Sequence, residues 1–451
     1  MKRRLAYALF FSCMAIAAPR VGFHDNSARL VFDLPWTSPF TLQSQDNQLT
    51  IALERTLDRV SGVLNVFGPL NYATVDRTIV LKAKGIGNRA QVTSLPAVPP
   101  AEGMRLIIDI AAVPPSLLQP EFQSCLQPDP QIPSLDVPKP PASLSGDLGL
   151  YVAVVDPQTL RPTRVVAQNP NMQFPLASAY KQAVLHALLQ DVDQNTIGLE
   201  ETLTTTEFNR SLEFYPTGTN TLRVLAERMI QKSDNTATDL LHRRIGLEKP
   251  QALADRLGLC KTRLLLPTKA WWVAQAGMAK DFPDSELLEA SRRYSSAPRP
   301  QQLEIARRLD AEALKIKPDV LYPKLDRYFM GPQYNPEIDR NTQNASTPFE
   351  FAQLIAFEFM GNGLTPSSQN LFRDIMGKGC CAKRLKPYNY AGAKGGSGWR
   401  ILTMTGYLEM PQGERIVYVF LNNKNKRDEG VESDIPAAMA WVKAAIERLK
   451  Q

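Results

Sequence analysis

Histidine is scarce in this sequence, with three residues among 451: His24, His186 and His242. None lies beside a candidate nucleophile or in a zinc-binding pattern, so a Ser-His-Asp triad and a zinc amidase are both disfavoured. His186 lies among apolar residues of a helical segment, where a packed structural role is expected. No cofactor and no metal site are predicted.

Cysteine is also scarce, with five residues, of which Cys13 lies in the N-terminal apolar segment. The others, Cys125, Cys260, Cys380 and Cys381, form no C-x-x-C pair and no Cys/His cluster, which disfavours a structural zinc site. Export would permit disulfides, and the pairing expected first joins Cys260 to Cys380 or Cys381. Buried free thiols are the alternative.

The apolar run at the N-terminus, 5–18, is shorter than the roughly 20 residues of a stable membrane span. It follows three basic residues and ends in small ones, which predicts a signal peptide over residues 1–18 with cleavage near Ala17. We therefore expect a secreted or periplasmic protein, associated with the cell envelope and without a stable membrane span. Lipid attachment through Cys13 is a weaker alternative.

Acidic residues do not balance the basic ones, since 52 Lys and Arg face 45 Asp and Glu and give a net charge of +7. This charge favours an anionic environment, such as nucleic acid, a membrane surface or acidic wall polymers. The basic residues are scattered and no nucleic-acid reading module is present, so nucleic acid is not expected as a partner.

Three regions follow the signal peptide. Residues 19–112 contain short runs of β-forming residues between turn residues, which predict a small β-sandwich. These runs are 28–34, 48–53, 78–81 and 104–110. Nine prolines in 113–146 prevent helix formation and favour an extended linker. Residues 147–451 have strand patterns at both ends and helical patterns between them, which predicts an α/β domain with a mixed or antiparallel sheet.

Several elements of the last region can be placed individually. The predicted strands are 148–155 and 163–167, which form a hairpin, followed much later by 401–407 and 415–421. The chain ends in a predicted helix over 437–449. Ser433 and Asp434 precede Pro436, the arrangement expected of an N-cap and a first-turn proline.

The first motif with chemical content is S-x-x-K at Ser178 and Lys181. The helix-forming residues 179–189 place Ser178 at the start of a helix, near the positive end of its dipole. Lys181 then lies one turn away on the same face, where a partly buried amine that loses its proton can accept one from the serine hydroxyl. A helix cap and a solvated surface lysine are the alternative.

The second motif, Ser233-Asp234-Asn235, lies between two helical runs and is expected on the turn that joins them. Such a turn can project Ser233 and Asn235 into a cleft. Ser233 could relay a proton to a leaving nitrogen, and the Asn235 amide could hold an amide of the substrate. The same residues would also serve as a simple helix N-cap.

The third motif begins at Lys394 and continues through glycines into a predicted strand. Lys394 supplies positive charge for a substrate carboxylate, and Gly396 lets a substrate approach the backbone closely. The backbone N–H groups of Ser178 and Ser397 could form an oxyanion hole. A glycine-rich hairpin turn is the alternative.

In this order, S-x-x-K, S-D-N and a K-[TS]-G-like triplet resemble the signature of class A β-lactamases and penicillin-binding proteins. The resemblance covers residues 147–451. It implies an α/β fold with an all-α lobe and an acyl-enzyme on Ser178. Lys181, Ser233 and Lys394 would be the other catalytic residues, and Asn235, Gly396 and Ser397 would bind the substrate or the oxyanion.

Two departures from the family pattern matter. Gly395 replaces the usual hydroxyl residue of the triplet, which Ser397 could compensate. The E-x-x-L-N loop that activates water for deacylation is also missing. Its nearest match places Asp284 at the glutamate position and Leu288 at the asparagine position, with Glu286 as a second candidate acid. Fast turnover of β-lactams is therefore doubtful.

Residues 265–345 are an insertion relative to the family. They include a charged helical stretch, 300–316, and an aromatic segment, 322–334. The insertion borders the cleft and narrows specificity, or it packs on the outside of the domain. The sequence favours neither arrangement.

The stretch 21–34 resembles the opening of AMIN domains, β-sandwich modules that hold cell-wall amidases and secretins at the envelope. This resemblance implies that residues 19–112 bind peptidoglycan. A structural β-domain without a ligand is the alternative.

Three functions follow from these features. The first is an exported serine hydrolase resembling class A β-lactamase, which forms an acyl-enzyme on β-lactams or D-Ala-D-Ala-type amides. The second is a peptidoglycan DD-peptidase, favoured by the wall-directed module and the defective deacylation loop. The third is a wall-binding or penicillin-sensing protein that is acylated without turnover.

Overall fold

The computed structural model describes residues 18–24, 27–45, 47–66, 69–83, 85–99, 101–111, 125–213, 215–361, 363–428 and 430–450. The chain forms two compact units, Met1–Glu121 and Phe122–Gln451. All but the last residue of the predicted signal peptide lies outside the described ranges. Within those ranges, no helix combines the length and apolar character needed to cross a membrane.

The described part of the first unit contains two antiparallel β-sheets and one short helix. The described elements are β1 (Arg20–His24), β2 (Ser27–Leu34), β3 (Phe40–Gln45), β4 (Gln48–Leu53), β5 (Ser61–Asn65), β6 (Pro69–Val75), β7 (Thr78–Lys82), α1 (Ile86–Arg89), β8 (Ala90–Pro96) and β9 (Met104–Ala111). One sheet has the strand order β1-β2-β9-β8 and the other β3-β4-β7-β6-β5. The four predicted strand runs coincide with β2, β4, β7 and β9 to within one residue at each end.

Alternation of side chains explains the core of this unit. Along β4, Leu49, Ile51 and Leu53 are buried while the intervening residues are only half-buried, as expected of a strand with one face on a core. Phe32 from the first sheet and Leu81 from the second belong to the same buried cluster. The β-rich fold is therefore confirmed, and the sandwich arrangement stays a prediction.

The second unit contains a larger sheet and the helices of the chain's C-terminal part. Its strands are β10 (Ser134–Leu135), β11 (Asp147–Val155), β12 (Pro162–Gln168), β13 (Phe174–Pro175), β14 (Thr202–Thr204), β15 (Thr219–Thr221), β16 (Met278–Ala279), β17 (Phe282–Pro283), β18 (Ala345–Ser346), β19 (Tyr390–Gly398), β20 (Ile401–Glu409) and β21 (Arg415–Asn423). Its helices are α2 (Lys181–Asp193), α3 (Leu222–Gln231), α4 (Asn235–Ile245), α5 (Lys249–Arg256), α6 (Thr268–Gln275), α7 (Leu287–Ser296), α8 (Arg299–Ala313), α9 (Pro318–Met330), α10 (Pro336–Thr342), α11 (Pro348–Met360), α12 (Pro366–Gly377) and α13 (Ile435–Leu449).

The main sheet of the second unit has the strand order β10-β12-β11-β21-β20-β19. Its pairs are antiparallel except for β10 and β12, which run parallel. Strands from both ends of the unit therefore lie side by side, and the predicted mixed sheet is confirmed. The predicted hairpin corresponds to β11 and β12.

Both faces of this sheet are buried, which explains why β11 is apolar along nearly its whole length. Leu150 and Val152 point into the cluster that contains Trp441 of α13. Tyr151 and Ala153 point the other way, into the cluster that contains the helical lobe. The helix α11 contacts β11 and β21 on that second side.

The start of α13 differs from the prediction. Pro436 does lie in the first turn, but the Asp434 side chain does not cap the helix. Its carboxylate instead accepts hydrogen bonds from Asn425 Nδ2 at 3.0 Å and Arg427 Nε at 3.1 Å. A 3-10 turn, Val431–Asp434, precedes the helix and takes the place of the expected cap.

The described part of the proline-rich segment belongs to the second unit and is hydrogen-bonded to the rest of it. Leu126 N donates to Gly258 O at 2.8 Å, and Trp441 Nε1 donates to Pro138 O at 2.7 Å. Residues 113–124 of the predicted linker lie outside the described ranges. From Cys125 onward the segment is extended but is not a free spacer.

The expected disulfide is wrong. Cys260 is bonded to Cys125, whereas Cys380 and Cys381 are free thiols. The bond attaches the proline-rich segment to the loop after α5. It joins two residues that are 135 positions apart in the sequence.

Candidate active site

A cleft of about 520 Å³ lies within the second unit and contains residues of all three motifs. Its walls come from the turn before α2, the turn before α4, one end of β19 and the helix α9. Ser178, Ser233, Asn235, Lys394 and Ser397 all line it. The fold thus brings together motif residues that are up to 219 positions apart in the sequence.

Ser178 lies in a 3-10 turn, Ala177–Tyr180, that continues directly into α2. The residue before it, Ala177, has φ 44°, a left-handed conformation that costs energy for a residue with a Cβ. Thr403 Oγ1 donates to Leu176 O at 3.1 Å and so holds this turn against β20. The backbone around Ser178 is therefore held by the sheet.

Lys181 occupies the first position of α2, and its side chain is fully buried. Its Nζ donates to Ser233 O at 2.6 Å, to Asn235 Oδ1 at 2.6 Å and to Ser233 Oγ at 3.3 Å. Burial, together with the nearby charge of Lys394, lowers the pKa of Lys181 well below its ordinary value. Three acceptors thus surround the amine, and its lowered pKa favours the neutral form.

The S-D-N turn combines the two roles that its sequence left open. Asp234 is the N-cap of α4: its carboxylate accepts from Ala237 N at 2.9 Å and pairs with Arg228 at 2.7 Å. Ser233 has φ 55°, and its hydroxyl lies beside the two lysines rather than on the helix. The cap thus fixes the turn, and its neighbours on both sides face the cleft.

Lys394 lies in β19 and is 3% exposed. Its Nζ donates to Ser233 Oγ at 2.9 Å and to Gly395 O at 2.6 Å. Burial lowers the pKa of Lys394 to about 8, while the nearby thiols of Cys380 and Cys381 act in the opposite direction. A cation is therefore available in the cleft at neutral pH and titrates just above it.

Gly396 allows β19 to pass directly against the turn Ala177–Tyr180, which carries Ser178. A Cβ at this position would lie 2.4 Å from Ser178 N and 2.8 Å from Thr403 Oγ1, distances that a side chain cannot occupy. The N–H of Ser178 is thus held at the edge of the strand that also carries Ser397. This arrangement fits two backbone donors around one developing oxyanion.

The two candidate acids for deacylation do not lie at the cleft. Asp284 and Glu286 form a 3-10 turn on the surface, and both are exposed. Glu286 lies 3.5 Å from Arg293, and neither acid lines the cleft. The structure therefore separates them from Ser178.

Glu213 is a carboxylate of the cleft that the sequence did not reveal, because no motif surrounds it. Its Oε2 accepts a hydrogen bond from Asn235 Nδ2 at 3.0 Å. Burial raises the pKa of Glu213, and the charge of Lys181 opposes this effect. The Asn235 amide thus connects Glu213 to Lys181.

The aromatic part of the insertion borders the cleft, whereas a narrowed specificity stays a prediction. Phe329 of α9 stacks on Trp399, with ring centroids 5.4 Å apart and an interplanar angle of 19°. Tyr322 and Asp326 from the same helix also line the cleft. The charged helix α8 does not contribute to the cleft lining.

The described histidines of the second unit do not take part in the site. His186 is buried between the rings of Phe357 and Phe372, at centroid distances of 6.2 and 5.9 Å. His242 is also buried, beside Leu247 O. Burial lowers the pKa of His186 to about 3, so its ring is neutral. In the described ranges, no group of three or more His, Cys, Asp or Glu residues could hold a metal ion.

Comparison with known proteins gives one family. Residues 142–439 match the beta-lactamase enzyme family. No curated protein matches the chain significantly.

Solved structures also align with the chain. A class A beta-lactamase from Mycobacterium abscessus aligns with 14% identity and a TM-score of 0.45, covering 68% of this chain and 95% of its own. A structure of PBP-A aligns with 20% identity and a TM-score of 0.45, over 68% and 92%. A beta-lactamase from Sphaerobacter thermophilus aligns with 17% identity and a TM-score of 0.46, over 68% and 92%.

Proposed function

Because the chain belongs to the β-lactamase enzyme family, we propose that it is an active-site serine hydrolase in which Ser178 forms an acyl-enzyme. The observation that carries this proposal is that two lysines contact the Ser233 hydroxyl. The surroundings of Lys181 favour its neutral form, whereas Lys394 is a cation at neutral pH. The turn that carries Ser178 lies against β19, the strand that carries Lys394. These are the groups that acyl transfer needs, in one cleft.

In the proposed acylation, neutral Lys181 accepts the proton of the Ser178 hydroxyl as the serine oxygen attacks the substrate carbonyl. The backbone N–H groups of Ser178 and Ser397 hold the oxyanion of the tetrahedral intermediate. The proton then passes through Ser233 to the leaving nitrogen, and the C–N bond breaks. Lys394 binds the carboxylate of the substrate.

The substrates that fit this cleft are β-lactams and D-Ala-D-Ala-type amides, since both present a carbonyl next to a carboxylate-bearing unit. The exposed position of Asp284 and Glu286 leaves the deacylation step without the acid that the sequence suggested. We therefore expect slow hydrolysis of a β-lactam acyl-enzyme. This observation favours a peptidoglycan DD-peptidase, or a protein acylated without turnover, over a fast β-lactamase.

The proposed site of action is the cell envelope. The basic and apolar N-terminal segment supports export to the periplasm or the exterior, and the resemblance of the first unit to AMIN domains supports binding to peptidoglycan. A pull-down with purified peptidoglycan, using the Ser178→Ala chain with and without its first 121 residues, tests this role. Equal retention of both chains would remove it.

Intact-mass spectrometry after exposure to a penicillin tests acylation directly. The wild-type chain should gain the mass of the penicillin, and the adduct should persist over a time course, whereas Ser178→Ala should gain none. An adduct of equal yield in the alanine variant would show that Ser178 is not the nucleophile. Release of muropeptide D-alanine against turnover of nitrocefin then separates peptidase from lactamase.

A further inference from the structure

Two adjacent thiols, Cys380 and Cys381, lie at the cleft and have no part in the proposed acylation. Cys380 is exposed and lines the cleft together with Ser178. Cys381 is half-buried against the core beneath α13. Cys381 has φ 78°, a left-handed conformation in the link between α12 and the 3-10 turn Ala382–Leu385.

The Cys380 thiol contacts the strand that carries Lys394. A Cβ built on Gly395 would lie 3.0 Å from Cys380 Sγ and 2.9 Å from Met404 Cε. The thiol thus lies beside the position where the related enzymes carry a hydroxyl residue, and where this chain has glycine.

The surroundings of Cys380 favour its thiolate. The Cys381 thiol donates a hydrogen bond to it, and the charge of Lys394 and the Gly395 N–H act in the same direction. Together they lower the pKa of Cys380 below that of an ordinary thiol, against the effect of burial. An accessible thiolate is the reactive form of cysteine, and the second thiol belongs to the next residue of the chain.

We propose that Cys380 and Cys381 form a thiol–disulfide exchange site in the wall of the cleft, with a low-molecular-weight disulfide as its reaction partner. The Cys380 thiolate attacks one sulfur of that disulfide, which forms a mixed disulfide on Cys380 and releases one thiolate. Cys381 then loses its proton to solvent and attacks the Cys380 sulfur. The Cys380–Cys381 bond forms and a second thiolate leaves. Two protein thiols are oxidised, and one external disulfide is reduced to two thiols.

The product of this exchange is easily reversed. Neighbouring Cα atoms are about 3.8 Å apart, closer than the roughly 4.4–6.8 Å of ordinary disulfides. A bond between adjacent cysteines is therefore strained and readily reduced. The site depends on the contacts of Cys380, not on acylation of Ser178.

Oxidised glutathione is a suitable probe, applied to the full-length protein with Cys380→Ser and Cys381→Ser as matched variants. Intact mass and non-reducing peptide mapping should show that the wild type loses two hydrogens and gains a Cys380–Cys381 bond, with Cys125–Cys260 unchanged. Cys381→Ser should stop at one glutathione on Cys380. Cys380→Ser should react at least tenfold more slowly than the wild type.

Several results would overturn the proposal. One is a wild-type protein that stays unmodified under conditions that oxidise free cysteine. Another is that wild type and Cys380→Ser react with oxidised glutathione at equal rates. A third is that glutathione is found first on Cys381. The same samples are also labelled with a fluorescent penicillin, which reports access to the cleft. A glutathione on Cys380 should reduce this labelling at least tenfold. Absence of labelling in the reduced wild type would count against acylation and leave the mass result intact.

Discussion

Lys181 and Lys394 approach the same hydroxyl oxygen, that of Ser233, with Nζ distances of 3.3 and 2.9 Å. Two ammonium groups this close repel each other, and the charge of Lys394 is one cause of the lowered pKa of Lys181. Burial lowers the pKa of Lys394 to about 8, and two nearby thiols favour its charged form. The surroundings therefore favour a neutral Lys181 and a charged Lys394 at neutral pH.

Replacement of Lys181 by methionine should slow acylation of Ser178 by about 10²–10⁴-fold, the usual contribution of a general base. The thermal stability should also fall, because methionine leaves Ser233 O and Asn235 Oδ1 without the donor that Lys181 supplies. The rate of adduct formation with a penicillin measures the first effect and a thermal melt the second. Lys249→Ala, which removes a partly exposed lysine paired with Asp191, is the control and should leave acylation unchanged. An unchanged rate for Lys181→Met would assign the base to another group.

The pH profile of acylation should fall on its alkaline side. Lys394 carries a positive charge below a pKa of about 8 and loses it as the pH rises through that value. For a β-lactam with a carboxylate, the second-order rate constant should therefore decrease toward tenfold per pH unit above about pH 8. Lys394→Arg keeps its charge throughout this range, so its profile should lack that decrease. A wild-type profile that stays level up to pH 10 would contradict the assignment.

Gly396→Ala should reduce acylation by at least about 10²-fold, the usual cost of losing one oxyanion donor. The new Cβ would come within 2.4 Å of Ser178 N and would displace the nucleophile turn. Gly398→Ala is the matched control on the same strand, since its Cβ would meet only Ile401 at 3.9 and 4.0 Å. Circular dichroism should show both variants folded. Equal acylation rates in the two variants would place the oxyanion donors elsewhere.

Phe329→Ala should weaken the binding of substrates with a bulky acyl side chain by about 2–10-fold, which corresponds to an aromatic contact of roughly 0.5–1.5 kcal/mol. The substitution removes the ring that stacks on Trp399 in the cleft wall. Met330→Ala, one residue away and 69% exposed, is the control. Apparent Kd values for a small and a bulky penicillin measure the effect. A loss shared equally by both substrates would show that Phe329 supports the wall without contacting the acyl group.

Local patterns were sufficient to predict most of the site and much of the fold. The helix that follows Ser178 places Lys181 one turn away, and Asp234 caps α4 and thereby positions Ser233 and Asn235. Strand patterns located β2, β4, β7, β9 and the hairpin of β11 and β12. Each of these features depends on residues close together in the chain.

Features that depend on distant contacts could not be predicted. The spacing of cysteines does not determine which ones pair, so Cys125 was missed as the partner of Cys260. The contact of Phe329 with Trp399 depends on how α9 packs near the end of β19. Glu213 reaches Asn235 from a loop without any motif. In each case the packing of the whole unit determines which two residues come into contact.

The bond between Cys125 and Cys260 also determines how tension would pass through the molecule. If the first unit is held at the wall, any pull on the second unit travels along the polypeptide to Cys125 and crosses the covalent bond to Cys260. The two-residue pairing of β10 with β12 lies beyond that point and would therefore be loaded less than it would be without the bond.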